Sequence, residues 1–169
     1  MELLIGAGNN KEKKVTFKEI PEDWIELITL DIDPTTNPMV LHDLTNLPLP
    51  FDDDMFDEIH AYEVLEHAGR QGDWMLFFNQ FMEFSRILKP GGYFIGSCPM
   101  WDSVWAWGDP GHTRIISAET LLFLSQKQYE QQVGKTAMTD YRGFYKADYE
   151  LLAKQEEGDT LAFVLRNNK

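Results

Sequence analysis

Glycines and carboxylates recur in this sequence directly after short apolar runs, a spacing that could grip a nucleoside. Gly6-Ala7-Gly8-Asn9-Asn10 follows Leu3–Ile5. Glycines there let the backbone turn tightly and approach a ligand with no Cβ in the way, although a Gly-x-Gly is equally a plain tight turn. Asp31 lies at the end of a second run, Leu27–Ile32. Its carboxylate could accept both hydroxyls of a ribose, and an Asx-turn into Pro34, helped by Asp33, is the competing use. His42-Asp43-Leu44 closes a third run, Met39–His42. An acceptor followed by an apolar side chain suits the exocyclic amine and ring face of a purine, and Asp43 would serve equally as a helix or turn cap. Further along, Trp101, Trp105 and Trp107 crowd into seven residues. They could wall a flat or cationic substrate or plug open surface. Arg114 could bind a substrate carboxylate.

These residues need a frame. Leu3–Ile5, Leu27–Ile32, Met39–His42, Glu58–Tyr62 and Tyr93–Cys98 are short runs, apolar on both faces, as central parallel strands require. Between the fourth and fifth, Trp74, Phe77, Phe78, Phe81, Ser85 and Leu88 mark one face of a 3.6-residue period. Asp73 is placed to cap that helix and Pro90 to stop it. A second helix is predicted from Ser117 toward Gln132. Tyr149, Leu151 and Ala153 alternate, Glu156-Glu157-Gly158-Asp159 turns, and Leu161, Phe163 and Leu165 alternate again, which predicts a hairpin. The expected fold is therefore α/β, a doubly wound, mostly parallel Rossmann-like sheet closed by a C-terminal antiparallel hairpin. About twenty residues separate the first two strands, and they contain Val15-Thr16-Phe17 and Pro21, so the first crossover helix is expected to be shortened or missing. No repeat or linker divides residues 1–169, which read as one domain.

Composition excludes several classes. A net charge of −13 repels phosphate backbones, and Lys11-Glu12-Lys13-Lys14 is too short a basic cluster to offset it, so nucleic acid is not an expected partner. Asp52-Asp53-Asp54 reads as a solvated turn. No apolar run approaches the ~20 residues of a membrane helix, and Met1–Gly6 lacks the features of a signal peptide. Cys98 is the only cysteine. One thiol forms neither an internal disulfide nor a cysteine zinc cluster, consistent with a reducing cytoplasm.

Taken together, the segments resemble the class I S-adenosylmethionine (SAM)-dependent methyltransferases, particularly the broad small-molecule (type 11) group. Leu4-Ile5-Gly6-Ala7-Gly8-Asn9-Asn10 resembles the glycine-rich first motif of that family, and Leu30-Asp31-Ile32-Asp33 its ribose-binding strand end. Asp43-Leu44, followed by Leu47-Pro48-Leu49-Pro50-Phe51 and Phe56-Asp57, resembles the adenine-contacting segment. Ala61-Tyr62-Glu63-Val64-Leu65-Glu66-His67 and Arg86-Ile87-Leu88-Lys89-Pro90-Gly91-Gly92 resemble the segments after strand four and before strand five. The resemblance runs from Leu3 to about Pro99. It implies SAM as cofactor, with Gly6, Ala7 and Gly8 against its methionine, Asp31 and Ile32 at the ribose, Asp43 and Leu44 at the adenine, and Tyr62 near the methionine end.

Two positions depart from the family pattern. Leu4 stands where an acidic residue usually opens the first motif, and Asn10 replaces the third glycine. The sequence also begins almost at strand one, without the helices that usually cover the cofactor. An oxygen nucleophile often needs a base, and His67 and His112 are the candidates. Glu63, Glu66 and His67 resemble a metal-holding run of ubiquinone-biosynthesis O-methyltransferases, but the same run occurs without a metal, and none is expected here. The functional expectation is methyl transfer to a small molecule or side chain by a cytoplasmic enzyme. The alternative is a catalytically silent methyltransferase-like domain serving binding or assembly. An NAD-dependent oxidoreductase is disfavoured, since the third Rossmann glycine is missing. DNA amino-methyltransferases carry Asp/Asn-Pro-Pro-aromatic where Ala61-Tyr62-Glu63-Val64 stands. The small chain and exposed cofactor edge are compatible with a homodimer.

Overall fold

The computed structural model describes residues 1–18 and 20–169. Seven strands form one sheet: β1 (Glu2–Ile5), β2 (Leu27–Asp31), β3 (Val40–Leu41), β4 (Phe56–Tyr62), β5 (Leu88–Pro99), β6 (Tyr149–Glu157) and β7 (Thr160–Asn167). Their spatial order is β3-β2-β1-β4-β5-β7-β6. The first five run parallel, with Ile5 opposite Leu30 and Ala61, and Ala61 opposite Gly96. β7 pairs antiparallel with both β5 and β6, so the C-terminal hairpin is present and closes the sheet. The order reverses at β1 and β4, which opens a crevice at their carboxyl ends.

The aromatic stripe forms helix α1 (Trp74–Ile87), capped by Asp73, whose side chain accepts from Leu76 N at 3.1 Å. Phe81 and Phe84 bury against Phe94 of β5, with ring centroids 5.3 and 5.0 Å apart. The chain passes directly from α1 into β5 at Leu88. Around that junction the Arg86–Gly92 run acts structurally. Arg86 grips both carboxylate oxygens of Glu83 and reaches Asp53 at 2.7 Å, while Glu83 accepts from Leu49 N. Lys89 pairs with Asp57 at 2.8 Å. A Cβ on Gly92 would lie 2.9 Å from Asp57 O, so only glycine fits against the neighbouring strand.

After β5 come α2 (Val104–Gly108), α3 (Ala118–Leu122) and α4 (Gln126–Gln132). The single helix expected from Ser117 to Gln132 is thus two. Ser125 breaks it by capping α4, accepting from Gln128 N, and Leu124 O turns out to receive Tyr149 N at 2.9 Å. α1, α3 and α4 all contribute to one core cluster on one face of the sheet.

On the opposite face no helix lies between β1 and β2 among the described residues, as the sequence suggested. Instead Val15, Phe17, Ile20 and Trp24 lie over Leu4, Tyr62, Ile95 and Val164. Beneath them sits a buried polar cluster. Lys13 Nζ lies 2.9 Å from Glu58 and 3.8 Å from Glu2, with every side chain in the trio under a tenth exposed. The Glu2 carboxylate also accepts from Ile25 N and Glu26 N, tying the end of the crossover to β1. Glu58 Oε2 is 2.8 Å from His60 Nε2, and His60 Nδ1 is 2.6 Å from the Tyr62 hydroxyl. Burial holds the His60 pKa below its ordinary value. The neutral ring then donates from Nε2 to Glu58 and accepts at Nδ1 from Tyr62. Lys13→Met leaves two buried carboxylates without their cation, and we expect it to destabilise the chain by about 3 kcal/mol or more. Urea denaturation at pH 7 measures this, and a loss under ~1 kcal/mol would put Lys13 among ordinary surface pairs.

A nucleoside-sized groove at the strand ends

The carboxyl ends of β1, β2 and β4 open onto one groove lined by Gly6, Leu30, Asp31, Ile32, His42, Asp43, Leu44, Thr45, Val64, His67 and Ala68. Gly6 adopts φ +60°, and a Cβ there would fall 2.6 Å from Val64 Cβ, so glycine is required by both conformation and packing. Asp31 is 8% exposed. Its Oδ2 accepts from Gly8 N at 2.8 Å and its Oδ1 from Asp33 N at 2.9 Å. The turns after β1 and β2 therefore hold the carboxylate rigidly, and each oxygen keeps a second lone pair for a ligand hydroxyl. Asp43 Oδ1 accepts from Thr45 N and Oγ1, both at 2.8 Å. Its Oδ2 has no hydrogen bond among the described residues.

Gln80 of α1 fixes two walls of this groove. Fully buried, its Nε2 donates to Leu44 O at 3.1 Å and to Ala68 O at 3.0 Å. His67 stands at the rim, exposed. Its Nδ1 lies 2.9 Å from Gly111 O. A carbonyl only accepts, so Nδ1 carries a proton, and in the neutral tautomer the lone pair is on Nε2.

Of the residues singled out in the sequence, Gly6, Asp31, Ile32, Asp43, Leu44 and His67 are brought together here. Gly8 contributes through its N–H to Asp31, while Ala7 is buried against the sheet's second face. Tyr62 lies in that second cluster too, and burial raises its hydroxyl to about 12. Trp101 and Trp105 are 56% and 61% exposed and line no part of the groove. His112 packs its ring 4.6 Å from that of His67. Arg114 is buried behind the groove, its Nε donating to Leu65 O at 2.7 Å. Ala68 and Thr45 line the groove without having been singled out. Each adjoins a residue that was, His67 and Leu44, which was the available signal.

Behind the rim lies Glu66, 2% exposed, with both carboxylate oxygens unpartnered among the described residues. Burial, reinforced by the charge of Glu63, raises it to about 7. Glu66, His67 and His112 place ligand atoms within 4.8 Å of one another, a donor set able to take a divalent ion. Glu63 is not part of it. Its backbone adopts φ +53° and its carboxylate accepts from Ser97 Oγ at 2.7 Å. Cys98 is buried, and its thiol pKa is pushed far up by that burial, so it remains a protonated, inert thiol.

The Methyltransferase domain family profile matches residues 5–96, more than half of the chain. The chain belongs to the methyltransferase domain family. No curated protein matches the sequence. Among solved structures, a chain of the Haloferax volcanii complex containing the Trm112 methyltransferase activator aligns with a TM-score of 0.62 at 15% identity, covering 99% of this chain and 82% of that one. A SAM-dependent methyltransferase from Archaeoglobus fulgidus aligns with a TM-score of 0.59 at 18% identity, covering 98% and 85%. The N-methyltransferase NodS of Bradyrhizobium japonicum WM9, solved with S-adenosyl-L-homocysteine, gives 0.59 at 18%, covering 99% and 78%. At these identities the likeness is one of fold, the Rossmann-like methyltransferase fold. No helix among the described residues is long and apolar enough to cross a membrane.

Glu66 yields a signed pH effect. Its carboxyl keeps its proton to about 7 when folded but loses it near 4.5 when unfolded. Rising pH through that window therefore favours the unfolded chain, by up to roughly 3 kcal/mol. Glu66→Gln removes that slope. We expect the variant to gain stability over the parent at pH 8 and little at pH 5, read by chemical denaturation. Equal gains at both values would contradict a raised Glu66.

Proposed function

We propose that this chain is a SAM-dependent methyltransferase acting on a small molecule or side chain, with the donor in the Gly6–Asp31–Asp43 groove. The observation that carries the reading is the convergence of three features on one crevice: a glycine that admits no Cβ, a carboxylate locked by two backbone amides, and a second carboxylate with one oxygen free. In this reading Asp31 takes the ribose hydroxyls, Asp43 Oδ2 accepts from the adenine amine, and Leu44 and Ile32 pack on its rings. Gly6 and Gly8 lie toward the methionine end. The NodS structure with its bound S-adenosyl-L-homocysteine supports that choice of ligand.

A sulfonium donor supplies an already activated methyl group, so the chain's work is alignment and exclusion of water. In the neutral ring the bond from Nδ1 to Gly111 O puts the free lone pair on His67 Nε2, at the rim, where it could take a proton from an oxygen acceptor. Leu4, which stands where the family pattern usually has an acidic residue, is 2% exposed and packs among the residues of the second face. That departure favours a second reading, a silent methyltransferase-like module. Exposed Met39 and Leu41 at the β3 edge add to it, whereas the neighbour from the complex with the Trm112 methyltransferase activator fits a partner-bound methyltransferase.

Calorimetric titration with S-adenosyl-L-homocysteine separates the two. We expect micromolar binding, weakened about 10- to 100-fold by Asp31→Ala, the range for a lost charged hydrogen bond. No heat at millimolar ligand would support the module. His67→Gln should lower turnover of an oxygen acceptor by at least ~100-fold, a larger factor than any change it makes in this affinity.

A further inference from the structure

Arg114 is 5% exposed, and its Nη1 and Nη2 find no acceptor among the described residues. Its Nε donates to Leu65 O, and its guanidinium carbon lies 5.7 Å from the centroid of the Phe77 ring. A buried guanidinium with two unpaired nitrogens is costly unless a ligand completes it. Arg114 lines a cavity of about 200 Å³ distinct from the donor groove, together with Arg70, Trp74, Phe78, Phe123 and Tyr141. The aromatic side chains form a continuous wall. Tyr141 lies 5.2 Å from Trp74, 5.0 Å from Phe78 and 6.0 Å from Phe123, measured between ring centroids.

Glu66 and Asp73 act on Arg114 through their charge, but neither carboxylate hydrogen-bonds its Nη1 or Nη2, and Asp73, which also lines the cavity, is engaged as the cap of α1. Two parallel N–H donors match a carboxylate in bidentate fashion, and the aromatic wall matches a flat apolar body. We infer that this cavity is a binding site for a planar aromatic carboxylate, its anionic end on Arg114 and its ring against Trp74, Phe78 and Tyr141.

The turn between β4 and α1 links this cavity to the donor groove. Val64, His67 and Ala68 face the groove, while Arg70 and Gln71 line the cavity. As the recognition site of the methyl acceptor, the cavity rests on the methyltransferase reading above. As a binding site it stands without it.

The test is ligand-observed fluorine NMR on the full chain, comparing 4-fluorobenzoate with its neutral isostere 4-fluorobenzamide in the absence of SAM. We expect the carboxylate to bind at least tenfold more tightly. Arg114→Gln should erase that preference. Trp74→Ala, at the exposed rim, should weaken both ligands while S-adenosyl-L-homocysteine binding persists. Equal affinity for acid and amide, no binding of the acid at 10 mM (roughly the weakest specific range), or a preference surviving Arg114→Gln would each overturn the proposal. If Arg114→Gln fails to fold, the acid–amide comparison on the parent chain and the Trp74→Ala result decide it. Homocysteine-ligand binding without benzoate binding would refute this site alone. Benzoate binding without it would refute the donor reading alone.

Discussion

The amide of Gln80 holds the groove edge of this molecule together. Helix α1 contributes the largest apolar payload to the core, but a greasy stripe fixes a helix only against the sheet beneath it. It does not position the loops that project beyond the strand ends. Gln80 does so, because one buried –NH2 group satisfies two carbonyls, Leu44 O and Ala68 O, from segments 24 residues apart. Leaving either carbonyl unpaired in the core costs on the order of 1–3 kcal/mol. The loop after β3 and the turn after β4 are therefore set relative to one another by the helix. The groove between them inherits its width from that spacing.

The second face of the sheet obeys a different constraint. With no crossover helix after β1 among the described residues, an irregular segment must cover Leu4, Tyr62 and Ile95, and an irregular segment has backbone and polar groups to satisfy. Lys13 and the Glu2 carboxylate do that work. Glu2 takes two amides at the start of β2, and Lys13 Nζ donates to Pro21 O while pairing with Glu58. Trp24 completes the cover, its ring 4.8 Å both from Lys13 Nζ and from His60. A charged cluster thus replaces the apolar stripe a helix would have supplied. It confers position more than stability, since buried pairs seldom outperform apolar packing.

Those two faces explain what was legible in the sequence. The strands, α1 with its Asp73 cap, and the closing hairpin followed from periodicity and turn chemistry, because burial imposes those patterns directly. The place of Asp31 and Asp43 in the groove was legible because an α/β sheet opens its crevice at the carboxyl ends of its strands. Tyr62 shows the limit. On β4, successive side chains alternate, so with Ala61 directed into the α1 core, Tyr62 must point to the other face. The carboxyl end of a strand is a necessary address for a site residue and not a sufficient one. The split of the second helix, and the burial of Arg114 behind the groove, depended on long-range partners, Tyr149 for the first and Leu65 for the second. No local pattern announces either.

Charge bears on how such a molecule meets an anionic ligand. A net charge of −13 opposes the approach of a carboxylate at long range. At physiological salt that field is screened within about 8 Å, so over the final approach only nearby groups count. There the ligand meets Arg70 and then Arg114, behind aromatic walls that exclude water and strengthen the local interaction. The global charge therefore slows encounter and discriminates against polyanions, while the local cations hold a single carboxylate once it arrives. This division, repulsion at a distance and pairing at contact, favours small monoanions with apolar bodies over phosphorylated or nucleic-acid ligands.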